Sequence, residues 1–185
     1  MIEELFSDGR RRMDGTIEAL LSEFNGVRTG RASTALLDRI TVEYYGTRTP
    51  LKQLATLATP DPRLISITVY DKQAVNAVVR AIQESDLGLT PNVDGNVVRL
   101  NVPALTEERR KELVRLVRHI AEDGRVAVRN VRRDVIQDLK ELKREGEISE
   151  DDERRAADEV QKMTNGTIEK INDHLARKEE EILEV

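Results

Sequence analysis

The chain has 185 residues and a formal net charge of −5. Charged residues make up 35% of it and aromatic residues 3%, with no Trp and no Cys. The length allows one or two small domains, and the charge content favours long solvated helices over one compact globule. The missing cysteines exclude disulfides, thiol catalysis and thiolate metal sites.

The start, "MIEELFSDGRRRMDG", carries charge where a signal peptide needs an apolar centre. No apolar run approaches the ~18 residues of a membrane span, so a cytoplasmic location is expected. Charge density also divides the chain. Residues 31–105 have a net charge of +1 and the two flanks together −6, so the middle and the flanks are built differently.

The first flank reads as one helix. Ile2, Leu5, Phe6, Met13, Ile17, Leu20, Leu21, Phe24 and Val27 recur at spacings of three, four and seven. Gly9 and Gly15 each cost about 1 kcal/mol inside a helix, so packing must support it. Gly30 in "RTGR" is the expected C-terminal cap.

From residue 31 the period changes to two. In "DRITVEYYG" Ile40, Val42 and Tyr44 alternate with polar residues, as on a half-buried strand, and "RLISITVYD" is rich in strand formers. "KQAVNAVVRAIQESD" predicts a short helix with Val75, Val78, Val79 and Ile82 on one side, and "DGN" at 94–96 predicts a hairpin turn. Together these describe a small α/β domain.

The helical period returns at "LTEERRKEL". Thr106 is placed to cap the helix, and Glu107 and Glu108 suit the positive end of its dipole. Leu113, Val117, Ile120, Ala127, Val131, Val135 and Leu142 form its apolar stripe. After Gly146, "SEDD" at 149–152 has capping-box spacing, with Asp at N3. A last helix follows with Val160, Met163, Thr167, Ile171, Leu175 and Ile182 on one stripe. Helices of roughly 35–40 residues are about 50–60 Å long.

The expected fold class is therefore α+β. An elongated antiparallel three-helix bundle is formed by residues 1–30 and 106–185, with residues 31–105 inserted in it. Thr29, Gly30 and Arg31 make one crossing, and Val102, Pro103, Ala104 and Leu105 the other. Two thin connections make a natural hinge. The bundle closes within one chain, so a monomer is expected.

The stretch "GRVAVRNVRRD" (124–134) gathers four arginines in an acidic protein. With Arg118 set to zero and about 100° per residue, Arg125, Arg129, Arg132 and Arg133 fall at about −20°, +20°, −40° and +60°. Lys140 and Lys143 share that sector, away from the apolar stripe. A solvated face normally mixes signs at i,i+4, whereas acids are sparse here, Glu122 being one. Arginine's planar fork suits phosphate. A strip without interleaved aromatics suits backbone contacts on structured RNA and not stacking on single strands. Spacing alone leaves open a plain solvated face, or a coiled-coil-like protein-interaction module without RNA binding.

Catalytic signatures are missing. His119 and His174 are isolated on helices, no Walker loop, nucleophile elbow or spaced metal-ligand set occurs, and the acidic runs sit at helix ends. No enzyme activity, cofactor or metal is expected.

"RTGRAS" (28–33), "LLDRITVEYYGTRTPLKQLA" (36–55), "SDLGLTPN" (85–92), "LTEERRKEL" (105–113), "RVAVRNVRRD" (125–134) and "ISEDDERR" (148–155) closely resemble the bacterial ribosome recycling factor family. The resemblance spans nearly the whole chain. It implies a roughly L-shaped molecule, a long three-helix domain with a hinged β/α/β domain inserted. It also implies cytoplasmic action after translation termination, in which the factor, elongation factor G and GTP split the ribosome into subunits and free it from mRNA. The long domain would lie on large-subunit rRNA near the peptidyl-transferase region and the intersubunit bridges. Arg125, Arg129, Arg132 and Arg133 are then the expected rRNA contacts, followed by Arg28 and Arg31 at the junction. Gly124 departs from the family's usual helix former and is expected to soften the long helix.

Overall fold

Two apolar periods, one helical and one of strands, sort the chain into two compact units in the computed structural model, which describes residues 1–184. The first unit comprises residues 1–28 and 107–184, and the second residues 29–106.

The first unit is a bundle of α1 (Ile2–Asn25), α4 (Glu107–Arg144) and α5 (Glu150–Leu183). Cross-helix pairs give its directions. Gly9 faces Val135 and Leu20 faces Gly124, so α1 runs antiparallel to α4; Gly9 also faces Met163 and Met13 meets Thr167, so α1 runs parallel to α5. Arg118 pairs with Glu179 and Lys143 with Glu153, so α4 and α5 are antiparallel. The core is aliphatic. It contains Met13, Leu20 and Phe24 of α1, Leu113, Val117, Val128, Val131, Val135 and Leu139 of α4, and Val160, Ile171 and Ile182 of α5.

Three helix expectations change. The first helix ends at Asn25 and is capped by Gly26, so Gly30 is not its cap. Gly30 instead has a φ of +75° in the connection that follows. On α4 the buried stripe runs through Ala121, Gly124, Val128 and Leu139, while Ala127 and Leu142 are half-buried. A period of 3.6 drifts against a straight seam, so the buried positions shift along a helix this long. Gly124, expected as a soft point, has a packing role as well. It lies inside 107–144, and a Cβ there would stand 3.2 Å from Leu20 Cδ1 and 3.5 Å from Ile171 Cδ1. The missing side chain allows three helices to approach closely. At the start of α5 the predicted capping box is complete. Ser149 Oγ accepts from Asp152 N at 3.1 Å, and Asp152 Oδ2 accepts from Ser149 N at 3.3 Å.

The second unit holds a four-stranded antiparallel sheet in the order β3 (Ala55–Asp61), β4 (Leu64–Val69), β6 (Val97–Asn101), β5 (Pro91–Asp94). Helix α3 (Val75–Gln83) turns Val75, Val78 and Ile82 into a core shared with Ile65, Ile67 and Val69 of β4 and Val98 and Leu100 of β6. The alternation in β4 sends every second residue into that core. The turn after Asp94 is pinned to β4, since Val69 N donates to Asn96 O at 2.9 Å. A separate hairpin of β1 (Thr41–Tyr44) and β2 (Thr47–Pro50) turns through Tyr45 and Gly46, both with positive φ, and the single turn α2 (Leu51–Leu54) leads from it into β3. Strands β2 and β3 carry weak alternation, so local pattern does not mark them as strands.

Candidate nucleic-acid interface

Arg118, Arg125 and Arg132 are spaced by seven residues and so return to one face of α4. That face adjoins α5. Arg118 pairs with Glu179, Arg125 Nε and Nη2 donate to Asn172 Oδ1 at 3.0 and 2.7 Å, and Arg132 Nη1 donates to Gln161 Oε1 at 2.9 Å. These arginines run along the α4–α5 seam, at the margin of the core. Glu179, Asn172 and Gln161 went unread in the sequence. Their signal is the antiparallel register, in which a step of seven up α4 meets a step of seven or more down α5.

Arg129 and Arg133 lie further round the helix. Glu122 accepts from Arg125 Nη1 at 3.0 Å through one carboxylate oxygen and from Arg129 Nη1 at 3.2 Å through the other. Those bonds, Arg125's first, hold the Glu122 carboxyl below the usual carboxylate range. Glu179 raises Arg118 above the ordinary guanidinium value through its hydrogen bond. Arg133 is exposed, and among the described residues it has no hydrogen bond or ion pair, so its fork is open to an external anion.

Arg132 and Arg133 also share an open groove of ≈ 630 Å³ between α4 and α5, lined besides by Ile136, Gln137 and Lys140 of α4 and Ala157, Asp158 and Gln161 of α5. Three cations, Arg132, Arg133 and Lys140, outnumber the single acid, Asp158, so the groove favours an anion. Arg28 ends the first unit and Arg31 stands near the start of the second. Both are exposed and unpaired among the described residues. His119 is exposed, 3.5 Å from Asp123, and His174 is half-buried. Among the described residues no group of His, Cys, Asp and Glu could hold a metal ion, and no helix is long and apolar enough to cross a membrane.

The chain thus joins a three-helix bundle, rich in arginine along one side of α4, to a small unit of sheet and helix. The family model described as "Ribosome recycling factor" matches residues 20–183, and the chain belongs to that family. It is 58% identical to the ribosome-recycling factor of Rubrobacter xylanophilus, over 97% of this chain and 96% of the relative. It is 52% identical to that of Shouchella clausii over the full length of both. Among solved structures it is similar to a solution structure of the ribosome recycling factor, with a TM-score of 0.72 and 46% identity over 100% of this chain and 98% of the other. Models for the T. thermophilus ribosome recycling factor and the E. coli elongation factor G bound to the E. coli post-termination complex give a TM-score of 0.62 and 46% identity, over 99% of each chain.

Proposed function

We propose that this protein recycles ribosomes in the cytoplasm. As a monomer it binds the post-termination ribosome and, with elongation factor G and GTP, splits it into subunits and releases it from mRNA. The observation that carries this reading is family membership across nearly the whole length, at identities of one half and above.

The α4 strip is the anchor. Arg129, Arg132 and Arg133 face rRNA phosphates of the large subunit near the peptidyl-transferase region and the intersubunit bridges, with Arg28 and Arg31 adding contacts at the junction. Arg125, only 20% exposed and fixed from behind by Asn172, presents its Nη1 edge to the same phosphates.

The two crossings act as a hinge. Ala32 N donates to Pro62 O at 2.7 Å and Val102 N to Arg63 O at 2.8 Å, so both crossings leave the second unit beside the same turn. Val102 is therefore held by its own unit, and the pivot narrows to Thr29–Arg31 and Pro103–Leu105. Elongation factor G would push the second unit about this pivot, and the energy that breaks the intersubunit bridges would come from its GTP.

Light scattering of post-termination ribosomes tests the whole reading. The signal should fall only when this protein, elongation factor G and GTP are all present. Arg132→Ala and Arg133→Ala should each weaken binding to 50S or 70S particles and reduce the salt slope by about 0.7–0.9 per phosphate lost. Unchanged affinity and slope in both variants would remove the strip from the interface.

A further inference from the structure

Glu122 holds Arg125 and Arg129 together as a bound phosphate would. Each carboxylate oxygen takes one guanidinium, at 3.0 and 3.2 Å, across positions i, i+3 and i+7 of α4. Two oxygens of one anion bridging two arginine forks is the arrangement in which a phosphodiester is held. The site is also built to stay in place without Glu122. Arg125 is fixed from behind, its Nε and Nη2 both donating to Asn172 Oδ1 at 3.0 and 2.7 Å, which leaves Nη1 aimed outward. The carboxylate itself is 52% exposed and Arg129 42%, so the ion pairs stand in water and exchange readily.

We propose that Arg125 and Arg129 form a two-guanidinium phosphate site that Glu122 occupies in the free protein, and that an RNA phosphate replaces the carboxylate on binding. This rests on the reading of the α4 strip as an RNA interface. Glu122 is the acid placed between the two, and the depressed protonation of its carboxyl keeps it an anion throughout the neutral range.

The consequence is selectivity. A tethered carboxylate competes at high effective concentration, so an isolated phosphate gains little by replacing it. A folded RNA that also engages Arg132, Arg133 and Lys140 gains those contacts and carries the exchange. The acid thus filters out RNA that offers only one or two phosphates, at some cost in affinity for the intended partner.

Glu122→Gln removes the charge and keeps the shape, and Glu122→Ala removes both. Each should fold as the parent does, checked by circular dichroism. Binding is then measured against 50S particles and against bulk transfer RNA, over a range of salt. Both variants should bind transfer RNA about three- to tenfold more tightly at low salt, with the 50S affinity rising less, so the preference for 50S particles falls. Affinity for both that is unchanged or weaker would overturn the exchange, and weaker 50S binding would make Glu122 an orienting residue instead. Arg125→Ala and Arg129→Ala separate the two levels. If they weaken binding while Glu122→Gln fails to strengthen it, the exchange alone is wrong. If they change nothing, the RNA reading of the strip fails and the exchange with it.

Discussion

Gly30 and Gly46 share a φ of +75° and differ in what surrounds them. A Cβ on Gly46 would meet nothing within 4 Å. One on Gly30 would stand 2.8 Å from Leu105 Cγ, with both methyls at 3.3 and 3.4 Å. Alanine at either site suffers the left-handed backbone cost of about 1–2 kcal/mol, offset by about 0.4–1 kcal/mol from a less free unfolded chain. Gly46→Ala should therefore destabilise by roughly 1 kcal/mol. Gly30→Ala adds overpacking against the Leu105 branch carbon, which gives way only by a change of χ1, about 1–3 kcal/mol, for a total of roughly 2–4. All three tyrosines of the chain lie in residues 29–106 and there is no Trp, so tyrosine fluorescence during urea unfolding reports this unit. In the background of Leu105→Ala the clash component of Gly30→Ala should vanish while the backbone component stays. Equal costs at the two glycines, or no recovery with Leu105→Ala, would refute the contact as the reason for glycine at this crossing.

Two further outcomes follow from local geometry. Tyr45 is the one non-glycine residue with positive φ among the described residues, at +49°, and it is 77% exposed. Asparagine accepts that conformation, a gain of about 1 kcal/mol, but Tyr45→Asn also gives up the edge-on contact with the Tyr44 ring at 4.5 Å, worth about 0.5–1.5 kcal/mol, so the stability of the second unit should change by less than about 1 kcal/mol. A larger shift of the unfolding midpoint by circular dichroism would contradict this. At the start of α5, hydrogen bonds from Ser149, side chain first and backbone second, lower the Asp152 carboxyl below the usual range. A depressed carboxyl stabilises the fold above its unfolded value near ~4 and loses that contribution as the pH falls through the folded value. Asp152→Asn should therefore flatten the acid limb of the stability curve below about pH 4, and an unaltered limb would show that the box is not what titrates. Ser149→Ala should cost about 1 kcal/mol at neutral pH.

The long helices, the sheet-bearing insert and the capping box at 149–152 were legible in the sequence because each rests on a local rule. Periods of 3.6 and 2 mark which face meets a core, and a cap is settled within four residues. The sector holding Arg125, Arg129, Arg132 and Arg133 was legible for the same reason. What faces that sector was not. Asn172 and Gln161 meet the arginines only because α5 folds back on α4 in one register, which no local spacing encodes. The same holds for Gly124. On its own helix it reads as a weak point, and only the approach of Leu20 and Ile171 makes it a packing site. Strands β2 and β3 are fixed by their ladders to β1 and β4 and not by their own weak alternation. Local chemistry thus determined the elements and the charge on each face. Tertiary contact decided which cations are already engaged within the protein and which, like Arg133, stand open, because a hydrogen bond depends on what lies within about 3 Å in space.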